Sequence, residues 1–256
     1  MLDARSAERF ARTLHIDGFT VRREYLQLLF LKYFYGQKRS EKIFFKGGTA
    51  LRFLFGSFRF SEDLDFTSLV SSEHQLRRVI EKTLQALAQE VGDVTFKRSK
   101  TVANSFSGRI FQHFKEFRFP LSIRLDFSLR EKPVHVETSY VETVFPVGPY
   151  PQVSHLESGE IVAEKIRALL TRVKGRDLFD LWFMLSKNVA IDWPLVNQKM
   201  AFYHKKTKLE QLAEVIERIP QKELKDDLTK FLPLTHRGLV VTLKEMTLGK
   251  LKKPLL

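Results

Sequence analysis

Two aspartates separated by one residue, Asp63 and Asp65, are the clearest chemical feature of the sequence. They lie in FRFSEDLDFTS, which reads as a β-strand, so both carboxylates should project from the same face. Close carboxylates raise each other's pKa unless a cation neutralises them. Because Mg²⁺ prefers hard oxygen ligands, we expect it to be the cation, supplied from outside this segment. The alternative is that the pair is ordinary solvated loop charge.

A third carboxylate, Asp126, lies in SIRLDFSLR, where polar and apolar residues alternate strictly. Period two is the signature of a strand, and it places Asp126 on a polar face. Three carboxylates on neighbouring strands could hold two metal ions, the arrangement of two-metal phosphoryl transfer. Asp126 could equally be an exposed strand residue paired with Arg124 or Arg130.

Two adjacent glycines, Gly47 and Gly48, lie between a predicted strand, EKIFF, and a short helix that Gly56 should end. Glycine lets the backbone approach a phosphate closely, and Thr49 and the free amides at the helix start could donate to it. A phosphate-binding turn beside metal-binding strands describes a nucleotidyl-transfer site. A Gly-Gly pair alone is also typical of a tight turn.

The elements that position these residues change character along the chain. Helices and strands alternate in the first part, where the apolar stripe of EHQLRRVIEKTLQALAQEVG predicts an amphipathic helix. Only helices follow the proline-rich segment VFPVGPYPQVS. This order predicts an α/β lobe with N-terminal helices over residues 1–145 and a helical lobe over residues 152–256.

Charge and composition restrict the class of partner. The chain has 43 Lys and Arg against 30 Asp and Glu, a net charge of +13 that favours polyanions, although a merely solubilising surface is the alternative. The absence of cysteine excludes disulfides and thiolate metal sites. No segment approaches the roughly 20 apolar residues that span a bilayer, and no signal-peptide core is visible, so we expect a cytoplasmic protein without membrane association.

Two motifs carry a resemblance to a known family. FKGGTALRFLFG with RFSEDLDF, and later EKIRALLTRVKGRDLFDLWFML, resemble the AbiEii/AbiGii toxins of type IV toxin–antitoxin and phage-abortive systems. The resemblance covers roughly Lys42 to Leu185. It implies an α/β (α+β) fold of the nucleotidyltransferase superfamily, with a mixed-sheet lobe followed by a helical C-terminal lobe.

The resemblance also implies roles for individual residues. The glycine motif, with Lys46 at its start, corresponds to the part that handles the phosphates. Asp63 and Asp65 correspond to the metal-binding, catalytic pair, and Asp126 is the loosest match, to the third carboxylate. The C-terminal catalytic motif corresponds to Lys165 and Asp177, flanked by the candidate nucleotide-binding residues Arg176 and Asp180.

Spacing alone adds less about the second motif. Lys165 and Arg172 are seven residues apart on one predicted helix, so both could reach a triphosphate. The alternative for them is two ordinary surface cations. Gly175 should end this helix, and Asp177 could simply be a carboxylate in the first turn of the next one.

The resemblance implies an activity and partners as well. Members bind nucleoside triphosphates with Mg²⁺, and relatives add nucleotides to RNA, including tRNA acceptor ends, which blocks translation. A cognate antitoxin, commonly a DNA-binding repressor, is the expected partner. Two alternatives remain open: a catalytically inactive relative that binds nucleic acid or a partner protein, and a nucleotide-sugar-dependent glycosyltransferase, which also uses Asp-x-Asp.

Overall fold

The computed structural model describes residues 2–99, 104–114 and 117–252, and they form two compact units. The first unit ends at Leu156 and the second begins at Glu157. We expected the boundary within residues 145–152. It falls later because Gln152–Leu156 form a strand of the sheet despite the prolines that precede them. Among the described residues, no helix has the length and apolarity needed to cross a bilayer.

The first unit is built on one mixed seven-stranded sheet, which agrees with the expected mixed α/β fold. The strand order is β3-β4-β5-β2-β1-β7-β6, with parallel pairing between β2 and β5 and between β1 and β7. The sequence analysis did not anticipate β4, β6 or β7. The strands are β1 (Ile43–Lys46), β2 (Asp63–Ser68), β3 (Val94–Arg98), β4 (Ser105–Gln112), β5 (Leu121–Ser128), β6 (Val136–Tyr140) and β7 (Gln152–Leu156). The helices are α1 (Ala4–Leu14), α2 (Gly18–Tyr35), α3 (Gly47–Phe55) and α4 (Glu73–Val91).

Apolar side chains occupy one face of the four strands β4, β5, β2 and β1. Phe66 on β2 stacks on Phe127 of β5 with ring centroids 4.8 Å apart. Phe45 of β1 contacts the Phe66 ring, and Phe106 of β4 contacts the Phe127 ring. Helix α2 packs against β5 and helix α4 against β3 on this side. Because these apolar side chains fill the buried face, the alternate residues of the same strands form an opposite, polar face.

A buried ion pair ties α3 to α2. Arg52 donates to the Glu24 carboxylate and, at 3.1 Å, to the carbonyl of Ser57, while its guanidinium lies 3.6 Å from the centre of the Phe60 ring. Burial raises the pKa of Glu24, and the charge of Arg52 only partly opposes the rise. The pair therefore fixes the helix that starts at the glycine turn. Ionisation of the Glu24 carboxyl is nevertheless less favourable in the folded protein than in the unfolded chain.

The Glu24 carboxyl predicts a specific pH dependence of stability. A folded-state pKa above the unfolded value of 4.5 means that Glu24 stabilises the fold most below that value and loses this contribution as the pH rises through its folded pKa. The Glu24→Gln protein should therefore match the wild type in acid and gain relative to it as the pH rises. Urea denaturation of both proteins across this range measures the difference. A difference in unfolding free energy that shrinks with rising pH would contradict the prediction.

The second unit is entirely helical over its described residues. Helix α5 packs against α6 and α7, and α6 also packs against α9 and α10. We expected Gly175 to end α5. Instead, Val173 caps that helix in a left-handed conformation, φ 45°, and Gly175 begins α6, where a side chain would press on Leu224. The helices are α5 (Ser158–Arg172), α6 (Gly175–Ser186), α7 (Trp193–Ala201), α8 (Leu209–Arg218), α9 (Gln221–Leu228) and α10 (Leu239–Lys252).

Candidate active site

The aspartate pair lies on β2 with both side chains on the polar face of the sheet and half-buried. Asp65 is in register with Lys46 on β1 and with Asp126 on β5, so these three residues form one row across neighbouring strands. The structure thus brings the three predicted carboxylates to one face. It also corrects one expectation, because Lys46 places a cation from this same segment directly across from Asp65.

Asp126 is already engaged within its own strand. Its carboxylate accepts from the Arg124 guanidinium at 2.8 Å, which is the pairing that the sequence left open as an alternative. Within the described parts of the chain, no three or more His, Cys, Asp or Glu side chains are arranged to hold a metal ion. A metal role for Asp126 therefore stays a prediction, and Asp63 and Asp65 are the stronger candidates.

The glycine turn lies directly against Asp65. Gly47 begins α3 with a φ of +79°, and a Cβ atom there would overlap the Asp65 carboxylate. Both conditions require glycine, because L-residues with side chains rarely adopt this conformation and no side chain fits. The Thr49 hydroxyl donates to the main-chain carbonyl of Asp63. Since a hydroxyl has one proton to donate, Thr49 ties the helix start to β2, and a bound phosphate would have to rely on the backbone amides.

Gly47 and Gly56 provide a matched test of this contact. Both have positive φ, +79° and +74°, but only a side chain at Gly47 would meet Asp65, since the space around Gly56 is open. Gly56→Ala should therefore lower the unfolding free energy by about 1–2 kcal/mol through backbone strain alone. Gly47→Ala should destabilise more and should also displace the Asp65 carboxylate. Denaturation curves and nucleotide titrations of the two variants check this, and equal effects on nucleotide binding would contradict it.

Sequence reasoning missed Arg59, which completes the turn. Arg59 is buried, donates to the carbonyl of Phe60 at 2.9 Å, and lies so close to Gly48 that a side chain there would overlap its guanidinium. A signal was present, because Arg59 is the one charged residue in the run from Gly56 to Ser61. It places a fixed positive charge beside the start of α3.

These residues fit a magnesium–triphosphate group. Mg²⁺ is typically held by one or two carboxylates together with substrate phosphates and waters, and Asp63 and Asp65 are partly exposed carboxylates of that kind. The start of α3 offers main-chain amides and the positive end of the helix dipole, next to the same carboxylates. The donor set is therefore complete without Asp126.

The second motif forms a compact charge cluster in the helical unit. Lys165 on α5 reaches two carboxylates of α6, Asp177 at 3.1 Å and Asp180 at 2.7 Å. Arg172 holds Asp177 from the other side with two hydrogen bonds, at 2.9 and 3.1 Å. The two aspartates are buried and Arg172 is 62% exposed. The cluster is thus anchored inside the unit and open to solvent on the Arg172 side.

This geometry decides between the alternatives for the motif. The surface-cation interpretation is wrong for Lys165, which is buried and bridges two helices. Asp177 does lie in the first turn of α6, but its carboxylate accepts hydrogen bonds from Lys165 and Arg172. Asp180 is fully buried and contacts Lys165, a placement suited to holding that lysine. Arg176 lies outside the cluster, because it pairs with Asp227 at 3.2 Å and covers the Phe231 ring.

A second buried lysine escaped the sequence analysis. Lys199 on α7 pairs with Glu160 of α5 and lies 3.7 Å from Glu164, and Glu160 is fully buried. The available signal was position, since Lys199 follows Leu195 and Val196 at helical spacing on the buried stripe of α7. Helix α5 therefore carries two buried charge systems, one toward α6 and one toward α7.

Comparisons with known proteins bear on both units. Residues 30–239 match the family model described as nucleotidyl transferase AbiEii toxin, type IV TA system. No curated protein matches the chain. Among solved structures, JHP933 from Helicobacter pylori is 18% identical with a TM-score of 0.59, covering 93% of this chain and 94% of that one.

A second structure has the same fold. MenT4, nucleotidyltransferase toxin Rv2826c from Mycobacterium tuberculosis H37Rv, is 17% identical with a TM-score of 0.59, covering 97% of this chain and 90% of that one. These identities support the fold alone, whereas the family model spans most of the chain and includes both motifs. The chain belongs to the AbiEii family of nucleotidyltransferase toxins of type IV toxin–antitoxin systems.

Proposed function

We propose that this chain transfers a nucleoside monophosphate from a nucleoside triphosphate to RNA in a Mg²⁺-dependent reaction. A tRNA acceptor end is the expected acceptor, and inhibition of translation is the expected consequence in the cytoplasm. Membership of a nucleotidyltransferase toxin family supports the reaction class. The magnesium dependence rests on the residues of the candidate site. The tRNA acceptor rests on the family resemblance, and the net charge of +13 is consistent with a polyanionic substrate.

One observation carries the proposal: the Asp65 carboxylate lies against Gly47, at the first residue of α3. A metal-binding oxygen and a helix start that favours phosphate are therefore adjacent, as a metal–triphosphate requires. Lys46 and Arg59 add positive charge on either side of the turn. A scaffold that only binds a partner gains nothing from this combination.

The reaction forms a bond between an RNA hydroxyl oxygen and the α-phosphorus, breaks the α–β phosphoanhydride bond, and releases pyrophosphate and a proton. Bound Mg²⁺ would supply Lewis acidity for the phosphates and help to ionise the hydroxyl. The protein's own contribution begins with Asp63 and Asp65, which would hold the Mg²⁺ ion and so position the triphosphate bound to it. Arg59 and the α3 amides then stabilise negative charge that builds up on the phosphates.

A transfer assay tests the proposal. Purified protein is incubated with total tRNA, Mg²⁺ and each α-³²P-labelled ribonucleoside triphosphate in turn, and the RNA is resolved on a gel. We expect label on RNA with at least one nucleotide, and loss of label with EDTA or in Asp63→Asn/Asp65→Asn. If no nucleotide labels any RNA while a known nucleotidyltransferase labels the same preparation, the proposal is wrong.

The family also implies an antitoxin, which we propose is a DNA-binding repressor. Induced expression of the chain alone should stop growth of the host cell. Co-expression of the neighbouring open reading frame should restore growth. Growth arrest that the Asp65→Asn variant causes equally would contradict toxicity through transfer.

A further inference from the structure

The polar face of the sheet carries a row of positive charges that the proposed reaction does not use. Lys97 on β3 is in register with Arg109 on β4, and Arg109 is in register with Arg124 on β5. The same row continues to Asp63 on β2, the first residue of the metal-binding pair. All three cations are exposed. We call Lys97, Arg109 and Arg124 the cation row.

This arrangement works against the stability of the sheet. Side chains in register on neighbouring strands lie close together, and like charges there are destabilising. Arg124 is partly neutralised by Asp126, whereas the contacts that the structure shows for the other two are not ionic. Arg109 donates to the Ser122 hydroxyl at 3.5 Å, and the Lys97 ammonium lies 5.8 Å from the centre of the Phe111 ring. Three adjacent cations therefore favour an anionic ligand over a purely structural role.

Phe111 adds an aromatic surface beside the cation row. It is half-buried on β4, two residues from Arg109 and therefore on the same face. Positive side chains that follow a backbone, combined with aromatic rings on which bases stack, are the usual elements of a single-strand binding surface. The phosphates of a mononucleotide would need the cations, but they would not need an aromatic ring on β4, two strands away from the carboxylate pair on β2.

The strand order separates this surface from the glycine turn. The turn follows β1, on one side of β2, while the cation row extends through β5 and β4 to β3 at the sheet edge on the other side. With strands about 4.8 Å apart, the row covers about 14 Å from Asp63 to Lys97. The carboxylate pair thus lies between a place for a triphosphate and a place for an extended polyanion.

From these observations we propose that the cation row and Phe111 bind the phosphodiester backbone and a base of the RNA acceptor strand. The strand enters over the edge at β3 and presents its terminal hydroxyl at Asp63. This inference rests on the proposed function, because it assigns the acceptor to one side of the same site. The triphosphate binds on the β1 side and does not contact Lys97 or Arg109.

The test uses Lys97→Gln/Arg109→Gln, which leaves Arg124 and its partner Asp126 intact. Lys38→Gln/Lys42→Gln is the matched control, because it removes two exposed positive charges of the same unit that lie before β1. Binding of a fluorescent single-stranded RNA of about 12 nucleotides is measured by anisotropy between about 50 and 200 mM salt. Binding of a non-hydrolysable nucleoside triphosphate with Mg²⁺ is measured in parallel by calorimetry.

We expect the row variant to bind RNA more weakly and its salt slope to fall by about 1.4, that is about 0.7 for each lost phosphate contact. The control variant should keep the slope of the wild type. Phe111→Leu should weaken RNA binding about tenfold without changing the slope, since stacking involves no counterion release. Nucleotide affinity should stay unchanged in all three variants, and the row variant should be at least as heat-stable as the wild type.

Two results would overturn the inference. If the row variant keeps the RNA affinity and slope of the wild type, the row does not bind the acceptor. If it loses nucleotide affinity to the same extent as RNA affinity, the row binds the triphosphate instead. Failure of the proposed function is distinguishable, because then no RNA is labelled by the wild type even though RNA binding still depends on the row.

Discussion

The Asp65→Asn protein should fold normally and lose nucleotidyl transfer by at least about 1,000-fold, a loss of about 4 kcal/mol in transition-state stabilisation. Asparagine keeps the size of the side chain and so preserves the contact with Gly47. It removes one of two negative charges on the same face of β2, so repulsion within the pair falls while the affinity for a divalent cation falls with it. Initial rates of label transfer to RNA, with thermal unfolding by circular dichroism, measure both effects.

Asp93→Asn is the matched control for this variant. Asp93 is an exposed carboxylate of the same unit, immediately before β3, and its loss changes the net charge equally. Its transfer rate should stay within a factor of about two of the wild type, since surface substitutions away from specific features have small effects. An Asp65→Asn protein that transfers as fast as Asp93→Asn would remove the carboxylate pair from the mechanism.

The Lys165→Met protein should lose both stability and transfer. Methionine fills similar space but leaves Asp177 and Asp180 buried without the ammonium that bridges them. Removing one partner of a buried ion pair is typically destabilising by about 3–5 kcal/mol. The resemblance of this motif to the family's C-terminal catalytic motif predicts that the transfer rate of the folded fraction also falls, by about 100-fold or more.

The pair on the other side of α5 separates stability from function. Lys199→Met leaves Glu160 buried without its partner, so its unfolding free energy should fall by a similar amount, about 3–5 kcal/mol. Its transfer rate should nevertheless match that of the wild type below the unfolding temperature, because Lys199 pairs with Glu160 and is not part of the Lys165 cluster. Adding Glu160→Gln to Lys199→Met should recover stability. If both lysine variants lose transfer equally once the folded fraction is accounted for, Lys165 has only a structural role.

The parts of the fold that were predictable are those where local pattern and packing agree. The alternation in β5 and the apolar stripe of α4 are local signals, and both elements appear where expected. β7 was missed because its pairing with β1 is a long-range contact, and its sequence follows a run of prolines that predicts a loop. The end of α5 was placed at Gly175 because glycine usually takes the left-handed position that Val173 occupies here.

The site was predictable in composition and less so in geometry. The Asp-x-Asp pair and the glycines follow from residue types and short spacing, so the sequence is enough to find them. The engagement of Asp126 by Arg124 and of Thr49 by the Asp63 carbonyl depends on rotamers and on neighbouring strands. The buried partners of Lys165 lie on another helix, and only the packing of α5 on α6 brings them within 3.1 Å.

The cation row illustrates the same limit. Lys97, Arg109 and Arg124 are far apart in the sequence, and only the register of β3, β4 and β5 aligns them. The sequence analysis did not identify β4, the strand with which both β3 and β5 pair. A net charge of +13 indicates that a polyanion is favoured, but the sheet decides where the positive charges accumulate.

Calorimetric titration with non-hydrolysable ribonucleoside triphosphates tests most directly whether Asp63, Asp65 and the glycine turn form a metal–triphosphate site. The experiment compares wild type with Asp63→Asn/Asp65→Asn, each with Mg²⁺ and with EDTA. We predict that at least one analogue binds the wild type with Mg²⁺, and that binding weakens tenfold or more, about 1.4 kcal/mol, when either the metal or the carboxylates are removed. Equal affinity under all four conditions, or no binding of any analogue to the folded wild type, would contradict the account.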